Sequence, residues 1–320
     1  MRIAITGANG FIGKTLLRKL KERGFEPRAL VRKSFNCDGI DCRIVDYDDP
    51  LSIADAIKDC DILIHNAGKT KTISFREMLS VNVGITRRIV EAVNMQENSM
   101  RLIYISTQAV SGPASAESPA CESDEMKPLS NYGKSKAYAE KLIRNQCKKS
   151  FNIIRPCPVY GAGDVDFLSL FRLAKLGFSF QVGSKDKPIN MIHSEQLVDF
   201  VMHVIANPNV NGESFFATDC RVYTQAEVAR MIALAIGKKE PKSLKVPPVL
   251  VHGVFGISDI IGRIRHMPSA VNLEKYAEIM AEGWVADCTK ARQLLGWEPA
   301  DEIEQKLKET YQWYIENGWL

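Results

Sequence analysis

With 320 residues, 42 basic and 38 acidic side chains and a net charge of +4, the chain can bury a substantial core and is too evenly charged to suggest a nucleic-acid partner. Eight scattered cysteines, with no CxxC pair and no histidine pair at zinc-ligand spacing, argue against a metal site and read as free thiols of a cytoplasmic protein. No stretch reaches the roughly 20 uninterrupted apolar residues of a membrane span, and the first residues read as a strand rather than a signal peptide.

The first half alternates short apolar runs with amphipathic segments. It predicts strands at 2–6, 27–31, 42–45, 62–65, 102–106 and 151–155, and helices near 10–23, 50–58, 75–94 and 131–148. Strands joined by helical crossovers make a doubly wound parallel sheet, the α/β Rossmann architecture. After Arg155 a Pro/Gly-rich bend from Pro156 to Gly163 changes the rhythm. A helix near 166–176, a strand at 189–192, a helix at 195–206, a strand at 214–217 and a helix at 224–236 follow, and two helices close the chain within 287–320. The expected division is a dinucleotide-binding domain over 1–163, to which 189–218 return, and a smaller C-terminal α/β substrate lobe drawn mainly from 164–320. The apolar stretch 246–264 is broken by two prolines, three glycines, His252 and Asp259. It predicts a buried or pocket-lining helix, ahead of membrane contact.

The first strand runs into Thr6-Gly7-Ala8-Asn9-Gly10-Phe11-Ile12-Gly13. A phosphate approaching the backbone needs glycines and free N–H groups at a helix N-terminus. Gly7 suits the tight turn, Gly10 the approach of a pyrophosphate and Gly13 the packing of helix on strand, with Asn9, Phe11 and Ile12 assigned to the same cofactor turn. Where NAD sites usually offer an acid to the ribose, the second strand ends Val31-Arg32-Lys33-Ser34. Arg32 could hold a 2′-phosphate bidentately, which predicts NADP ahead of NAD. Asp46 is a candidate for the adenine amino group or an ordinary turn residue.

Tyr132 and Lys136 lie four apart on a predicted helix and therefore share a face. A nearby ammonium would lower the phenol's pKa and let Tyr132 exchange a proton with an alcohol or ketone. The fifth strand ends Ser106-Thr107 at the carboxyl edge of the sheet, where side chains meet ligands. Thr107 is the chosen partner for the reacting oxygen and Ser106 the alternative.

These motifs, with Asn66-Ala67-Gly68, Asn82-Val83-Gly84, Tyr132-Gly133-Lys134-Ser135-Lys136 and Gly296-Trp297-Glu298-Pro299 in order along almost the whole chain, resemble the extended short-chain dehydrogenase/reductases grouped as NAD-dependent epimerases and dehydratases. The resemblance implies that Thr107, Tyr132 and Lys136 form the catalytic triad, with Lys136 also bonding the nicotinamide ribose. It places Ala67 and Gly68 along the cofactor and makes Asn82 a prop for that region. Pro156 and Val159 fall where the family's backbone meets the nicotinamide carboxamide. His65 is read as structural ahead of catalytic. Pairing through the helices 75–94 and 131–148 would make a homodimer by analogy.

The family includes epimerases, dehydratases and reductases. The Arg that meets a diphosphate in many sugar-nucleotide members is absent from 183–193, although Lys185 and Lys187 could substitute electrostatically. Gln108-Ala109 stand where dehydratases carry an Asp-Glu pair. Together with Arg32 and the apolar run 249–261, this favours hydride transfer between NADP(H) and a carbonyl or alcohol of a small, apolar substrate, in the manner of hydroxysteroid dehydrogenases and dihydroflavonol reductases. A nucleotide-sugar 4-epimerase with tightly bound NAD, and a non-catalytic cofactor-sensing protein, are the alternatives.

Overall fold

Strand β1 (Arg2–Thr6) lies inside a seven-stranded sheet and alternates its side chains between two cores. The computed structural model describes residues 1–37, 39–265 and 272–320, apart from the Arg263 side chain. Ile3 and Ile5 enter one hydrophobic cluster and Ala4 the other. The same alternation separates Ile62 and Ile64 from Leu63 on β4 (Ile62–His65), and Ile103 and Ile105 from Leu102 and Tyr104 on β5 (Arg101–Ile105). Strands buried on both faces read as continuous apolar runs, and each fully buried aliphatic side chain contributes about 1.5–3 kcal/mol.

The remaining strands of this sheet are β2 (Glu26–Val31), β3 (Asp41–Ile44), β6 (Ser150–Pro156) and β11 (Ser214–Ala217). The order is β11-β6-β5-β4-β1-β2-β3, and every pairing is parallel. This is the α/β Rossmann-type fold that the alternating elements predict. Helix α1 (Phe11–Glu22) follows β1, and α2 (Pro50–Ile57) starts with Pro50 in its first turn under the Asp49 side-chain cap. The single helix expected over 75–94 is divided into α3 (Phe75–Leu79), a π-helical turn at Ser80–Gly84 and α4 (Ile85–Asn94). Helix α5 (Asn131–Gln146) precedes β6.

Beyond β6 come β7 (Val159–Tyr160), α6 (Leu168–Lys175), β8 (Phe178–Val182), β9 (Pro188–Ile189), β10 (Ile192–His193) and α7 (Ser194–Ala206). The one strand expected over 189–192 is therefore two short ones, pairing with different partners. After β11 follow β12 (Tyr223–Thr224), α8 (Gln225–Ala235), β13 (Lys242–Val246), α9 (Pro248–Ile264), α10 (Leu273–Met280), α11 (Thr289–Leu295) and α12 (Ile303–Glu316). Thr224 and Glu227 close a capping box at the start of α8. A third core gathers Tyr160, Phe171, Met191, Ile232, Leu307 and Tyr314 from the later elements.

Two further features depart from the sequence expectation. The polar-apolar alternation at 178–182 and 242–246 makes a parallel ribbon of β8 with β13. Helix α9 is neither buried nor packed into a core: Val249 is 80 % and Ile264 72 % exposed. No helix among the described residues is long and apolar enough to cross a membrane.

Candidate active site

The turn after β1 is set by backbone crowding. Gly7 has φ +67° and lies so near Ala67 that a Cβ would meet its backbone nitrogen at 2.9 Å. A Cβ on Gly13 would stand 2.1 Å from the Gly7 carbonyl oxygen, so the first turn of α1 can sit against β1 only with glycine there. The Gly10 amide donates to the Gly7 carbonyl at 3.0 Å. Gly10 is the N-cap of α1 and caps it with no side chain, and no acid stands in the first turn. That leaves the positive end of the helix, with Phe11 and Ile12 in its first turn, open to an anion.

The loop after β4 closes over the same edge. Ala67 donates its amide to Thr6 Oγ1 at 3.0 Å, and a Cβ on Gly68 would lie 3.2 Å from Asn82 Oδ1 and 3.9 Å from Lys136 Nζ. Asn82, in the π-helical turn, accepts from the Lys69 amide at 2.8 Å and donates to the Lys69 carbonyl and to Ser135 Oγ, both at 2.9 Å. It therefore ties the loop to α5. Asn9 is exposed in the turn, Pro156 is buried at the end of β6, and Val159 is half-buried on β7 opposite Ile192.

His65 links these parts. Thr86 donates its hydroxyl proton to the Asn82 carbonyl at 2.6 Å, so at 2.9 Å its oxygen accepts from His65 Nε2, and Nδ1 accepts from Thr6 Oγ1 at 2.8 Å. Burial, reinforced by Lys136, holds the imidazole down at about 3. A neutral ring donating on one side and accepting on the other is a structural link.

Arg32, directly after β2, and Asp46, shortly after β3, are both exposed. Among the described residues Arg32 forms no hydrogen bond or ion pair, and no acid follows it at the end of β2 before the undescribed Asp38. Asp46 accepts from the Asp48 amide at 2.9 Å, which is turn chemistry.

Tyr132 and Lys136 project from the first turns of α5. The start of that helix comes close to the Gln108–Val110 turn, where a Cβ on Gly133 would meet the Ala109 carbonyl oxygen at 2.6 Å. Thr107, N-cap of that turn, is the hydroxyl that favours the Tyr132 phenolate. Ser106 is occupied elsewhere: it donates to Glu140 at 2.5 Å, inside the buried ion pair of Glu140 with Arg155 at 2.8 Å. Lys136 is buried, donates to the Ile105 carbonyl at 2.6 Å and lies 4.2 Å from the Tyr104 ring centroid.

The electrostatics differ from the simple expectation of a lysine depressing a tyrosine. Burial pushes the Tyr132 phenol up to about 12, with Thr107 opposing and Glu278 adding to the rise. Burial likewise pushes Lys136 down to about 7, while Glu140 favours its charged form. Desolvation dominates both groups. Tyr132 near neutral pH is therefore a proton donor.

Two acids went unsingled in the sequence, and Gln108 was read there only as a departure from the dehydratase Asp-Glu pair. Glu274 on α10 accepts from the Asn131 amide at 2.9 Å, and Glu278 on the same helix acts on Tyr132. Neither stands in a motif, and only the packing of α10 over the start of α5 brings them there. Gln108 is 2 % exposed, and both its amide atoms lack a hydrogen-bond partner among the described residues. Its location directly after Thr107, in the place of the dehydratase acid, is the signal that the sequence carries.

Taken together, the crowded glycine turn, the open helix end and the Gly68 loop beside Lys136 fit a dinucleotide. The family model described as NAD dependent epimerase/dehydratase matches residues 3–215. Ceramide reductase of Caulobacter vibrioides is 28 % identical over 99 % of this chain and 96 % of its own. UDP-glucose 4-epimerase of Vibrio cholerae is 26 % identical over 98 % and 95 %, and 3-beta-hydroxysteroid dehydrogenase of Mycolicibacterium neoaurum 26 % over 98 % and 92 %. The crystal structure of gox2253 superposes with a TM-score of 0.79 at 23 % identity, covering 99 % of both chains, a likeness of fold alone.

Proposed function

The chain belongs to the NAD dependent epimerase/dehydratase family and is a nicotinamide-dependent enzyme of the extended short-chain dehydrogenase/reductase type; from that premise we propose that it is an NADPH-dependent reductase of a carbonyl on a small, largely apolar substrate. The observation that carries this reading is the placing of Tyr132, in the first turn of α5, against the turn that Thr107 caps, because reduction of a carbonyl needs a phenol proton delivered to its oxygen. The ceramide and hydroxysteroid relatives support the apolar substrate, and Arg32, without an ion-pair partner among the described residues, supports NADP.

In this reading Gly7, Asn9, Gly10, Phe11, Ile12 and Gly13 cradle the pyrophosphate, and Arg32 takes the 2′-phosphate. Asp46 stands at the adenine end, where its turn bond leaves one carboxylate oxygen for the amino group. Ala67 and Gly68 run along the cofactor with Asn82 behind them, and Pro156 and Val159 border the nicotinamide end. The cofactor supplies the hydride. Thr107 donates a hydrogen bond to the substrate oxygen, Tyr132 passes its proton to that oxygen, and Lys136 holds the ribose and favours the phenolate left behind. Gln108 offers its unpaired amide to a polar group of the substrate. The division into a cofactor domain over 1–163 with 189–218 and a substrate lobe over the rest of 164–320, and a homodimer through the faces of α3, α4 and α5, belong to the same proposal.

The test is to denature the purified protein, identify any released nucleotide by mass, and titrate the emptied protein with NADPH and NADH. An empty protein preferring NADPH, and oxidising it with apolar ketones, supports the reductase. Retained NAD, with no net consumption and interconversion of sugar nucleotides, would replace it by the epimerase chemistry of the Vibrio relative.

A further inference from the structure

We propose that the face of the protein formed by α9 docks on the surface of an anionic lipid bilayer. Leu250, Val254, Ile257, Ile261 and Ile264 recur at intervals of three and four, and all are exposed. An amphipathic helix usually turns such a stripe toward the core. Here the side turned to α10 instead carries half-buried Phe255 and exposed His252, whose rings lie 6.3 Å and 5.0 Å from that of Tyr276. Strand β13 leads directly into α9, and with β8 it presents exposed Phe180 and Leu244 paired in register. Exposed apolar side chains recurring on both neighbouring elements mark a contact with another apolar phase.

Charge identifies the phase. Residues 238–265 contain six basic and two acidic side chains, a net +4 that equals the charge of the whole chain. Lys238, Lys239, Lys242, Lys245 and Arg265 are all exposed. Exposed basic side chains flanking an exposed apolar helix in the chain match a headgroup layer bearing negative charge over hydrocarbon. The 17 residues of α9 reach about 25 Å, short of the roughly 20 residues a span requires, so the helix lies along the interface.

The docked face is continuous with the candidate active site. Helix α10, packed against α9 through Tyr276, holds the start of α5 through Glu274 and Asn131. An amphiphile reaching Tyr132 from the bilayer would pass this helix pair. That statement of substrate class rests on the reductase reading, whereas the docking does not.

Flotation of the purified full chain with phosphatidylcholine vesicles, with and without phosphatidylglycerol, tests the docking. The protein is expected to float with the phosphatidylglycerol vesicles and to be released by salt. The I257E/I261E variant should lose binding by about tenfold or more, and K242Q/K245Q should lose the preference for phosphatidylglycerol. All four positions are exposed, so circular dichroism melting should match the parent. Three results would overturn the proposal: no flotation with either vesicle, I257E/I261E binding like the parent, or sedimentation showing that I257E/I261E converts a dimer to monomer, which assigns the face to a second copy. Flotation measures no turnover. Failure of the NADPH titration would therefore remove the reductase and leave the docking, and failure of flotation would do the reverse.

Discussion

Glu274 clasps the first residue of α5: its carboxylate accepts from the Asn131 backbone amide at 2.9 Å and from the Asn131 side-chain amide. An acid at a helix N-terminus is favourable by about 0.3–1 kcal/mol, and the residue that this one holds is followed directly by Tyr132. Glu274→Ala is expected to loosen α10 and raise KM for the carbonyl substrate several-fold while the Kd for NADPH stays constant. Steady-state kinetics with fluorescence titration separates the two, and an unchanged KM would remove α10 from the substrate side.

Thr107 and Ser106 should part in opposite directions. Thr107→Ala is expected to lower kcat/KM by about 10- to 100-fold with little change in Tm, since its hydroxyl serves the reacting oxygen. Ser106→Ala strips a donor from the buried Glu140 and should cost about 1.5–3 kcal/mol of stability with far less effect on turnover. The pair is measured by denaturant unfolding alongside assays, and the reverse pattern would exchange their roles.

Tyr132→Phe removes the proton donor and leaves the cofactor groove intact. Turnover is expected to fall by about 100- to 10,000-fold with NADPH affinity retained. Native-like turnover by this variant would sink the reductase reading.

Lys136, held down to about 7 in the folded chain against 10.5 for a free lysine, binds fewer protons folded than unfolded between those values. Stability from this group therefore rises with pH across that window, and below about 7 its cost is fully present. Lys136→Met, which cannot charge, should melt higher than the parent by the widest margin near pH 6–7, and the gap should narrow toward pH 10. Melting curves across the window decide it, and a gap that widens with pH would reverse the assignment.

Arg32→Ala should weaken NADPH by about tenfold or more and leave NADH nearly unaltered, since only the 2′-phosphate is lost. Equal losses for both nucleotides would show that Arg32 serves another part of the cofactor.

Much of this was legible in the chain because the information is local. β1 and β4 are read correctly to the residue, since a strand buried on both faces has an unmistakable composition. The glycine turn is legible for the same reason: the crowding at Gly13 is set by its own neighbours. The ribbon of β8 and β13 was not, because FSFQV and KSLKV are half-exposed and find each other only across about 60 residues of chain. The π-helical turn escaped notice because it inserts into an apolar periodicity without breaking it. For α9 the stripe was visible but its direction was not, as periodicity fixes that a face exists and not what it meets. The sign of the Tyr132 shift was missed because proximity of a lysine is written in the sequence and desolvation is not.

The strand order carries a consequence for how the chain is made. β6 must wait for β11, about sixty residues later, before its second edge is paired, and every bond of the large sheet joins parallel strands that need a long connection. During synthesis the nascent sheet therefore presents an apolar open edge until residue 217 has left the ribosome. Such high-contact-order assembly is slow, and a truncation before β11 should sediment as aggregate rather than as a smaller stable domain.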